Sequence, residues 1–312
     1  MYAVEYAEHY TLSKLLTDCR IDVSIKDRFG QNALHLAVRK EDHVSVQILA
    51  RYPHVDVNWC DAHGNTALLL AVKSLKSKTS SRVVDSLLLN SNLDINCRDR
   101  MGRTALWYAV ASQREQLVEL LLLQANICLN VADNQGFTPL TKAAEHQNPA
   151  LLHILLRHFN ICINASLELV IPPLWAACRA GSLASVKSLL SQRSVHINQK
   201  APFGTSPLHV AVINQHSDIV SLLLSREQIA VNDVDPSGFT ALMLAAANGY
   251  IACIEYLLRH PKIDLNVKDM NGYSAILWPS VNGNVRLVNL IRGALARQTM
   301  RELRSPTVWP RE

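Results

Sequence analysis

Residues Asp235–Leu242 read DPSGFTAL, and copies of this octet recur along almost the whole chain. Successive copies begin 34 residues apart, except for a single step of 38 residues between the copies at 61 and 99. A fixed period of this size predicts a solenoid, in which each unit packs only against its neighbours. The copies are DRFGQNAL, DAHGNTAL, DRMGRTAL, DNQGFTPL, LELVIPPL, APFGTSPL, DPSGFTAL and DMNGYSAI, which begin at 27, 61, 99, 133, 167, 201, 235 and 269.

The unit that begins at 235 predicts a turn, two helices and an extended link. Gly238 provides the positive φ that a tight turn needs, and Thr240 caps a first helix over Ala241–Asn248. Gly249 ends that helix. The second helix, Ile251–Arg259, has apolar residues at i, i+3 and i+4, which is the pattern of a helix with one buried face.

The octet D-x-x-G-x-T-[AP]-L, the small residues that follow it and a Leu pair in the second helix resemble the ankyrin repeat. The Leu pair recurs as Leu121–Leu122, Leu155–Leu156, Leu189–Leu190, Leu223–Leu224 and Leu257–Leu258. The resemblance implies an all-α ankyrin-repeat solenoid over residues 1–292, with about eight full helix-turn-helix repeats after a partial repeat at 1–26. A basic tail follows at 293–312. The 34-residue period is one residue longer than the usual ankyrin unit, a variant similar to the long ankyrin arrays of filamentous fungi.

Both ends of the array depart from the pattern. Leu15–Leu16 align with the second-helix Leu pair, which predicts that Met1 lies inside a first helix. Either residues 1–24 form a stunted cap, or the chain is the tail of a longer protein. In the last unit, Pro279 falls on the fifth residue of the expected first helix, where it removes a backbone donor.

Two internal segments also depart. The 38-residue step contains KSLKSKTSSR at Lys73–Arg82, which we expect to form a solvated loop between two helices. The alternative is a basic, phosphorylatable contact loop. In the unit at 167, Val170 and Pro172 replace the Gly and Thr of the octet, so its turn cannot have the standard shape. This segment is either drift in a tolerant array or an apolar anchor for a partner.

The composition excludes several classes of protein. The 312 residues are 49% apolar and 18% charged, which favours a packed fold, and a net charge of +5 is too small to indicate nucleic-acid binding. Seven cysteines without a CxxC pair fit a reducing compartment, so we expect the cytoplasm or the nucleus. The N-terminus lacks the basic region of a signal peptide, and no apolar run is long enough for membrane insertion. We expect a monomer.

Polar residues that recur at one repeat position are predicted to be structural. The aspartates that open the octets should accept hydrogen bonds from turn N–H groups, and the asparagine that lies three residues before every octet from 61 onward is interpreted in the same way. The aspartates are Asp27, Asp61, Asp99, Asp133, Asp235 and Asp269, and the asparagines are Asn58, Asn96, Asn130, Asn164, Asn198, Asn232 and Asn266. For His35 and His209, the family resemblance implies that they brace the turns.

One repeat position holds Cys128, Cys162 and His196 in succession, which are typical zinc ligands. Stacked repeats lie about 8–10 Å apart, whereas zinc needs each ligand at about 2.0–2.3 Å, so equivalent positions cannot share an ion. The chain also lacks a phosphate-binding loop, an H-E-x-x-H motif and a G-x-S-x-G elbow. We therefore expect no metal, no cofactor and no catalytic residues.

The resemblance also implies a candidate partner surface, because turn tips and first helices form the concave face of ankyrin arrays. Its cationic residues in this chain are Lys26, Arg28, Arg39, Lys40, Lys73, Arg98, Arg100 and Arg103. Its apolar residues are Phe137, Leu169, Ile171, Phe203, Phe239 and Tyr273. This set predicts a groove that is cationic in its N-terminal half and apolar in its C-terminal half; the alternative is an ordinary solvated face.

We accordingly predict a non-catalytic interaction scaffold or adaptor. Its partner would be a protein segment that is acidic or phosphorylated at one end and apolar at the other, because Arg suits carboxylate and phosphate groups and aromatic residues anchor interfaces. A second hypothesis is the C-terminal targeting array of a larger multidomain regulatory protein. A third, less favoured, is an enzyme whose active site lies in the groove.

Overall fold

The structure is a computed structural model that describes residues 1–18, 20–74, 79–164 and 169–304. Its regular secondary structure over these ranges consists of helices, and the single β pairing there is an isolated bridge between Val234 and Thr240. No helix in these ranges is both long and apolar enough to cross a membrane. The predicted all-α class is confirmed.

The chain divides into two compact units, of which the first comprises residues 1–143 and 150–162. It opens with two short helices, and four helix pairs follow the octets at 27, 61, 99 and 133; the last pair extends partly beyond the unit. The helices are α1 (Tyr2–Glu5), α2 (His9–Leu16), α3 (Ala33–Arg39), α4 (His43–Arg51), α5 (Ala67–Ser74), α6 (Thr79–Leu88), α7 (Ala105–Ala111), α8 (Glu115–Leu122), α9 (Pro139–Glu145) and α10 (Pro149–Leu156).

The second unit comprises residues 144–149 and the chain from 163 onward. Four helix pairs follow the octets at 167, 201, 235 and 269. The helices are α11 (Pro173–Ala180), α12 (Leu183–Leu190), α13 (Pro207–Ile213), α14 (Ser217–Leu224), α15 (Ala241–Asn248), α16 (Ile251–Arg259), α17 (Leu277–Val281) and α18 (Val285–Arg304).

The repeat that begins at 235 has the elements that its sequence predicts. Gly238 has a φ of 79°, and the Thr240 hydroxyl accepts a hydrogen bond from the N–H of Met243 at 3.2 Å. The first helix, α15, ends at Gly249, whose φ is 75°. Both predicted helices of this repeat have the predicted bounds, because the cap and the glycine stop are local signals that neighbouring repeats do not override.

The core of each unit lies between consecutive helix pairs. In the first unit, α3 packs against α5 and α4 against α6. The first helices contribute small residues such as Ala37 and Ala71, which are fully buried and let the backbones approach closely. The second helices contribute larger ones, and Leu87 and Leu121 are also fully buried. Each such leucine contributes roughly 1.5–3 kcal/mol to folding through the burial of apolar surface.

The last repeat accommodates its proline differently from the sequence prediction. Its first helix, α17, begins at Leu277, so Pro279 is the third helical residue and not the fifth. The N–H groups of the first turn have no acceptor within a helix, so the proline removes no helical hydrogen bond there. The second helix of this repeat continues without a break through the expected array boundary at 292/293, and Ala294 is buried beyond it.

The insertion at Lys73–Arg82 is not the loop that the sequence predicts, as far as the structure describes it. Lys73 and Ser74 belong to α5, and Thr79–Arg82 form the start of α6. The four residues between them lie outside the described ranges. Most of the extra residues therefore lengthen the two helices of this repeat, and Lys73 is drawn into an ion pair that is described below.

The repeat at 167 departs from its neighbours as expected, although residues 165–168 lie outside the described ranges. Val170, at the glycine position, does not have a positive φ, so the turn lacks its usual left-handed residue. Pro172 occupies the cap position of α11 without a side-chain hydrogen bond. The helix begins nonetheless with Pro173, whose fixed φ suits the first helical position.

Candidate functional site

The aspartates of the octets have the structural role that their recurrence predicts. In the repeat at 99, Asp99 Oδ1 accepts hydrogen bonds from the N–H groups of Met101 and Arg103 at 2.9 and 3.0 Å. Asp27, Asp61, Asp133, Asp235 and Asp269 accept the same two bonds in their own turns. One carboxylate oxygen of each aspartate thus holds the turn, and only the second oxygen is left to differ between repeats.

The asparagine column is structural too, but its partners are not the ones predicted. The side chain of Asn96 bonds the link of the following repeat and not its own turn. Its side chain donates to the carbonyl of Asn126 at 2.8 Å and accepts from the N–H of Cys128 at 2.7 Å, both in the link of the following repeat. The same two bonds recur from Asn58, Asn164, Asn198 and Asn232. These amides therefore join successive links, a role that the period of the sequence alone does not distinguish from turn formation.

The histidines brace the turns, as the family resemblance implies. A ring nitrogen of His35 lies 2.9 Å from the carbonyl of Asn65, and one of His209 lies 3.0 Å from the carbonyl of Phe239, each in the next octet. At the same position the indole of Trp107 donates to the carbonyl of Phe137 at 3.1 Å. Burial lowers the pKa of both histidines, despite the turn carbonyls that favour the charged form.

The turn tips of the first unit stack closely, which places their outermost side chains in a row. The N–H of Ala62 donates to the carbonyl of Phe29 at 2.9 Å, and the N–H of Asn134 donates to that of Met101 at 2.9 Å. A Cβ added at Gly64 would lie 3.1 Å from the backbone nitrogen of Arg100, so the tips touch. Glycine is needed at these positions both for its positive φ and for this close approach.

The predicted cations at these tips are exposed, but they have apolar neighbours that were not among the predicted site residues. Arg28 and Arg100 are exposed, and so are Phe29 and Met101, the residues that follow them. The guanidinium of Arg28 lies 4.7 Å from the centre of the Phe29 ring. Each of these two tips thus presents a cation beside an apolar group, so the first unit is not purely cationic. The signal was present in the octets, since Phe29 and Met101 occupy the third position, which the resemblance implies is exposed.

Two predicted cations are neutralised within the fold. The ammonium of Lys73 donates to Asp99 Oδ2 at 2.7 Å, lies over the ring of Tyr108 and is largely buried. Arg103 pairs with Asp133 Oδ2 at 3.4 Å and also packs on an aromatic ring. Burial would raise the pKa of Asp99, but Lys73 and Tyr108 outweigh it and hold this pKa below its usual value. These two cations stabilise the stacking of repeats and are poorly placed to bind a partner.

The other predicted cations have no carboxylate partner among the described residues. Lys26 lies over the ring of Trp59, with 3.1 Å from Nζ to the ring centre. Arg98 donates to the carbonyls of Gly102 and Ala132, at 3.0 and 2.9 Å. These contacts orient the side chains without neutralising their charge. The remaining exposed cations of the set are Arg28, Arg39, Lys40 and Arg100, of which Arg39 donates to the neutral amide of Gln31.

The apolar set of the second unit is only partly exposed. Leu169 is 79% exposed, and Phe203 and Tyr273 are also exposed. Phe239 is half-buried against Trp278, with 4.9 Å between the ring centres. Ile171 is only 3% exposed, so the expectation that it faces a partner is wrong: with proline at the cap position, its side chain turns into the core. In the first unit, Phe137 is half-buried beneath Lys142.

The structure bears on metal binding and on two of the thiols. No group of three or more His, Cys, Asp or Glu in the described ranges is arranged to hold a metal ion. Burial, reinforced by Asp94, raises the pKa of the Cys97 thiol to about 12, and burial also raises that of Cys60. Such thiols stay protonated at neutral pH and are weak nucleophiles.

Paired helices, glycine turns and bonded links together define a helical repeat protein of the solenoid class. The family model of ankyrin repeats in three copies matches residues 1–80, 74–166 and 174–269. The chain belongs to the ankyrin repeat family.

Several curated proteins are similar over part of the chain. Neurogenic locus notch homolog protein 1 of Homo sapiens and that of Mus musculus are each 32% identical over 112 residues, which is 35% of this chain and 4% of the relative. A putative ankyrin repeat-containing protein of Treponema pallidum (strain Nichols) is 34% identical over 105 residues, which is 33% of each chain. The matched part of this chain thus spans only a small fraction of the notch relatives.

Proposed function

We propose that this protein is a non-catalytic binding module whose first unit takes an acidic segment of a partner protein across its turn tips. Ankyrin repeats are generally protein–protein interaction modules. The observation that carries the finer proposal is the contrast among the cations: Lys73 and Arg103 are neutralised by aspartates, whereas the tip cations Arg28 and Arg100 have no carboxylate partner within the described ranges.

The geometry of the tips supports a partner that is both acidic and apolar. Phe29 and Met101 are large exposed apolar groups directly beside Arg28 and Arg100. Exposed apolar residues next to unpaired cations favour a partner with carboxylate or phosphate groups alternating with apolar side chains. Asp99 does not repel such a segment strongly, because Lys73 pairs with its Oδ2. The charge of Asp27 is only partly offset by the turn N–H groups that donate to its Oδ1.

The second unit would add apolar anchoring of its own. Leu169, Phe203 and Tyr273 are its exposed apolar or aromatic groups at candidate positions. The ring of Phe203 packs 5.4 Å from that of Trp175, which limits the conformations of its side chain. A pre-ordered aromatic ring loses little entropy when it binds, which is the property of an interface anchor.

The proposal is tested with charge-reversed variants and a defined acidic probe. The probe is a fluorescent peptide of glutamates alternating with leucines. Its affinity is measured for the wild type, for R28E/R100E and for the control R51E/R82E, which changes the net charge equally at exposed arginines of second helices. We expect R28E/R100E to weaken binding about tenfold or more, equal to about 1.4 kcal/mol, and to lessen its salt dependence. Equal losses in both double variants, or no binding by the wild type, would overturn the proposal.

A further inference from the structure

A cleft in the second unit differs from the clefts at equivalent places elsewhere in the chain. It has a volume of about 560 Å³ and lies between the end of α16, the link that follows, and α18. The equivalent clefts behind α12 and α4 measure about 390 and 290 Å³. In those two, the next second helix has already ended, at Leu224 or Leu88, and residues of the turn that follows line the cleft. Helix α18 instead continues to Arg304, so that helical residues line this side of the larger cleft.

The continuation of α18 also changes the hydrogen bonding of the link. As in the internal repeats, the asparagine of the preceding link accepts an N–H of this one: Asn232 accepts the N–H of Asp264 at 2.9 Å. Here Gln298 of α18 accepts the N–H of Leu265 at 3.3 Å, so the helix is tied to the link from the far side. Ala294, one turn earlier, is buried against the same region. Arg297 lies between Ala294 and Gln298 in the sequence, and it lines the cleft.

The lining of this cleft carries an excess of positive charge. Arg259, Lys262 and Arg297 are its cations and are all exposed, and Asp264 is its one acidic residue. Asp264 is already engaged, since its carboxylate accepts the N–H of Asn266 at 2.9 Å. The equivalent cleft behind α12 has two arginines and one glutamate, and the one behind α4 has a single arginine. Of the three, the enlarged cleft is therefore the most cationic.

A neutral donor adds to these charges. His260 Nδ1 accepts the N–H of Lys262 at 3.3 Å, which leaves Nε2 to carry the ring proton. Burial, and then the charge of Lys262, lower the pKa of His260, so the ring is neutral at pH 7. The partial negative charge at the C-terminal end of α16 opposes an anion here, and Arg259 in the last turn offsets it. The net attraction for an anion then comes from Lys262 and Arg297.

We propose that this cleft binds a phosphate-bearing polyanion. Its volume lies within the range of small-molecule sites, and arginine binds phosphate oxygens in a bidentate manner. The Lys262 ammonium donates to the carbonyl of Glu227 at 3.3 Å, which leaves its charge uncompensated and two of its protons for an anion. A ligand with two phosphate groups offers one group to Lys262 and another to Arg297. Such a group is carried by a free polyphosphorylated metabolite or by a polyphosphorylated lipid headgroup. This site uses none of the residues of the proposed protein-binding surface, so either proposal can fail without the other.

The test uses two probes and two matched double variants of the full chain. Binding of pyrophosphate is measured by isothermal titration calorimetry, and binding to phosphatidylcholine vesicles with and without phosphatidylinositol 4,5-bisphosphate is measured by co-sedimentation. K262Q/R297Q removes two charges from this cleft. R193Q/R226Q removes two charges from the equivalent cleft behind α12 and serves as the control. Circular dichroism checks that both variants keep the helical content of the wild type.

We expect saturable one-to-one binding that K262Q/R297Q weakens at least tenfold and that R193Q/R226Q changes less than twofold. Loss confined to K262Q/R297Q supports the site whichever probe binds. Pyrophosphate binding identifies a soluble ligand, and binding only to the phosphoinositide vesicles identifies a lipid headgroup. Failure of the wild type to bind either probe, or equal losses in the two double variants, would overturn the site and reduce the cleft to a solvated basic surface.

Discussion

The second oxygen of the octet aspartate distinguishes one repeat from another, and replacing this aspartate by asparagine should show it. Asp99 Oδ2 accepts from Lys73 at 2.7 Å and from the hydroxyl of Tyr108 at 2.6 Å. Asp269 Oδ2 is buried and has no hydrogen-bond partner among the described residues. Asp99→Asn would turn an amide donor toward two other donors, whereas Asp269→Asn keeps the Oδ1 acceptor and removes a charge that nothing pairs.

The magnitudes follow from these partners. Removing one member of a buried ion pair costs about 3–5 kcal/mol. Because the Lys73 side chain is a quarter exposed and can regain water, we expect the lower end, about 3 kcal/mol, for Asp99→Asn. For Asp269→Asn we expect less than about 1 kcal/mol of either sign, since the lost charge had no partner and the turn bonds remain. The effects of the same substitution at the same repeat position should thus differ by about 2–4 kcal/mol.

Urea unfolding followed by circular dichroism gives the total stability, and hydrogen exchange resolved by repeat locates the change. Exchange should quicken around the octet at 99 in the first variant and stay near wild type around the octet at 269 in the second. The advantage of wild type over Asp99→Asn should be full above about pH 4, the ordinary carboxyl pKa, and should disappear as the pH falls through the lowered pKa of Asp99. Equal destabilisation by the two variants would refute the assigned role of Oδ2.

Three further predictions concern the joints between repeats. Gly238→Ala should destabilise the protein by more than the roughly 1 kcal/mol expected for Gly249→Ala. Both glycines have positive φ, but only at 238 would the added Cβ meet the backbone of the next repeat, at 2.8 Å. Similar melting temperatures of the two variants would contradict this. Asn96→Ala should cost about 1–3 kcal/mol and expose link amides to exchange, and unchanged exchange there would remove the proposed joint. Burial lowers the pKa of His35 and His209, so the stability of the wild type should decline as the pH falls below about 6.5, where unfolded histidines take up protons. The stability of the H35Q/H209Q variant, measured by urea titration, should decline less between pH 7 and 5.

Much of the fold follows from local signals that the sequence displays openly. The glycine of each complete octet, the hydroxyl or amide cap and the 34-residue period predict the helix bounds of the repeat at 235 to the residue. They succeed because each repeat contacts only its neighbours, so few distant interactions can override them. The structural role of the aspartates is equally readable, since a catalytic carboxylate would not recur at one position in six turns.

The candidate surface could be predicted only in part. Repeat position tells which residues stand at a turn tip, and it placed Arg28 and Arg100 correctly among the exposed residues. It could not tell that Lys73 and Arg103 are paired, because their aspartates belong to the following repeats, 26 and 30 residues away. It also misjudged Ile171, whose direction depends on the turn that Pro172 alters.

The periodicity of the sequence is thus sufficient to predict the solenoid, its helices and the family. These depend on interactions within one repeat or between the similar surfaces of neighbouring repeats. Side-chain pairing across repeats, the burial of Ile171 and the enlarged cleft beside α18 depend on where unlike residues meet. Those contacts exist only once the repeats have stacked, so the three-dimensional packing, and not the period, determines which charges remain available for binding.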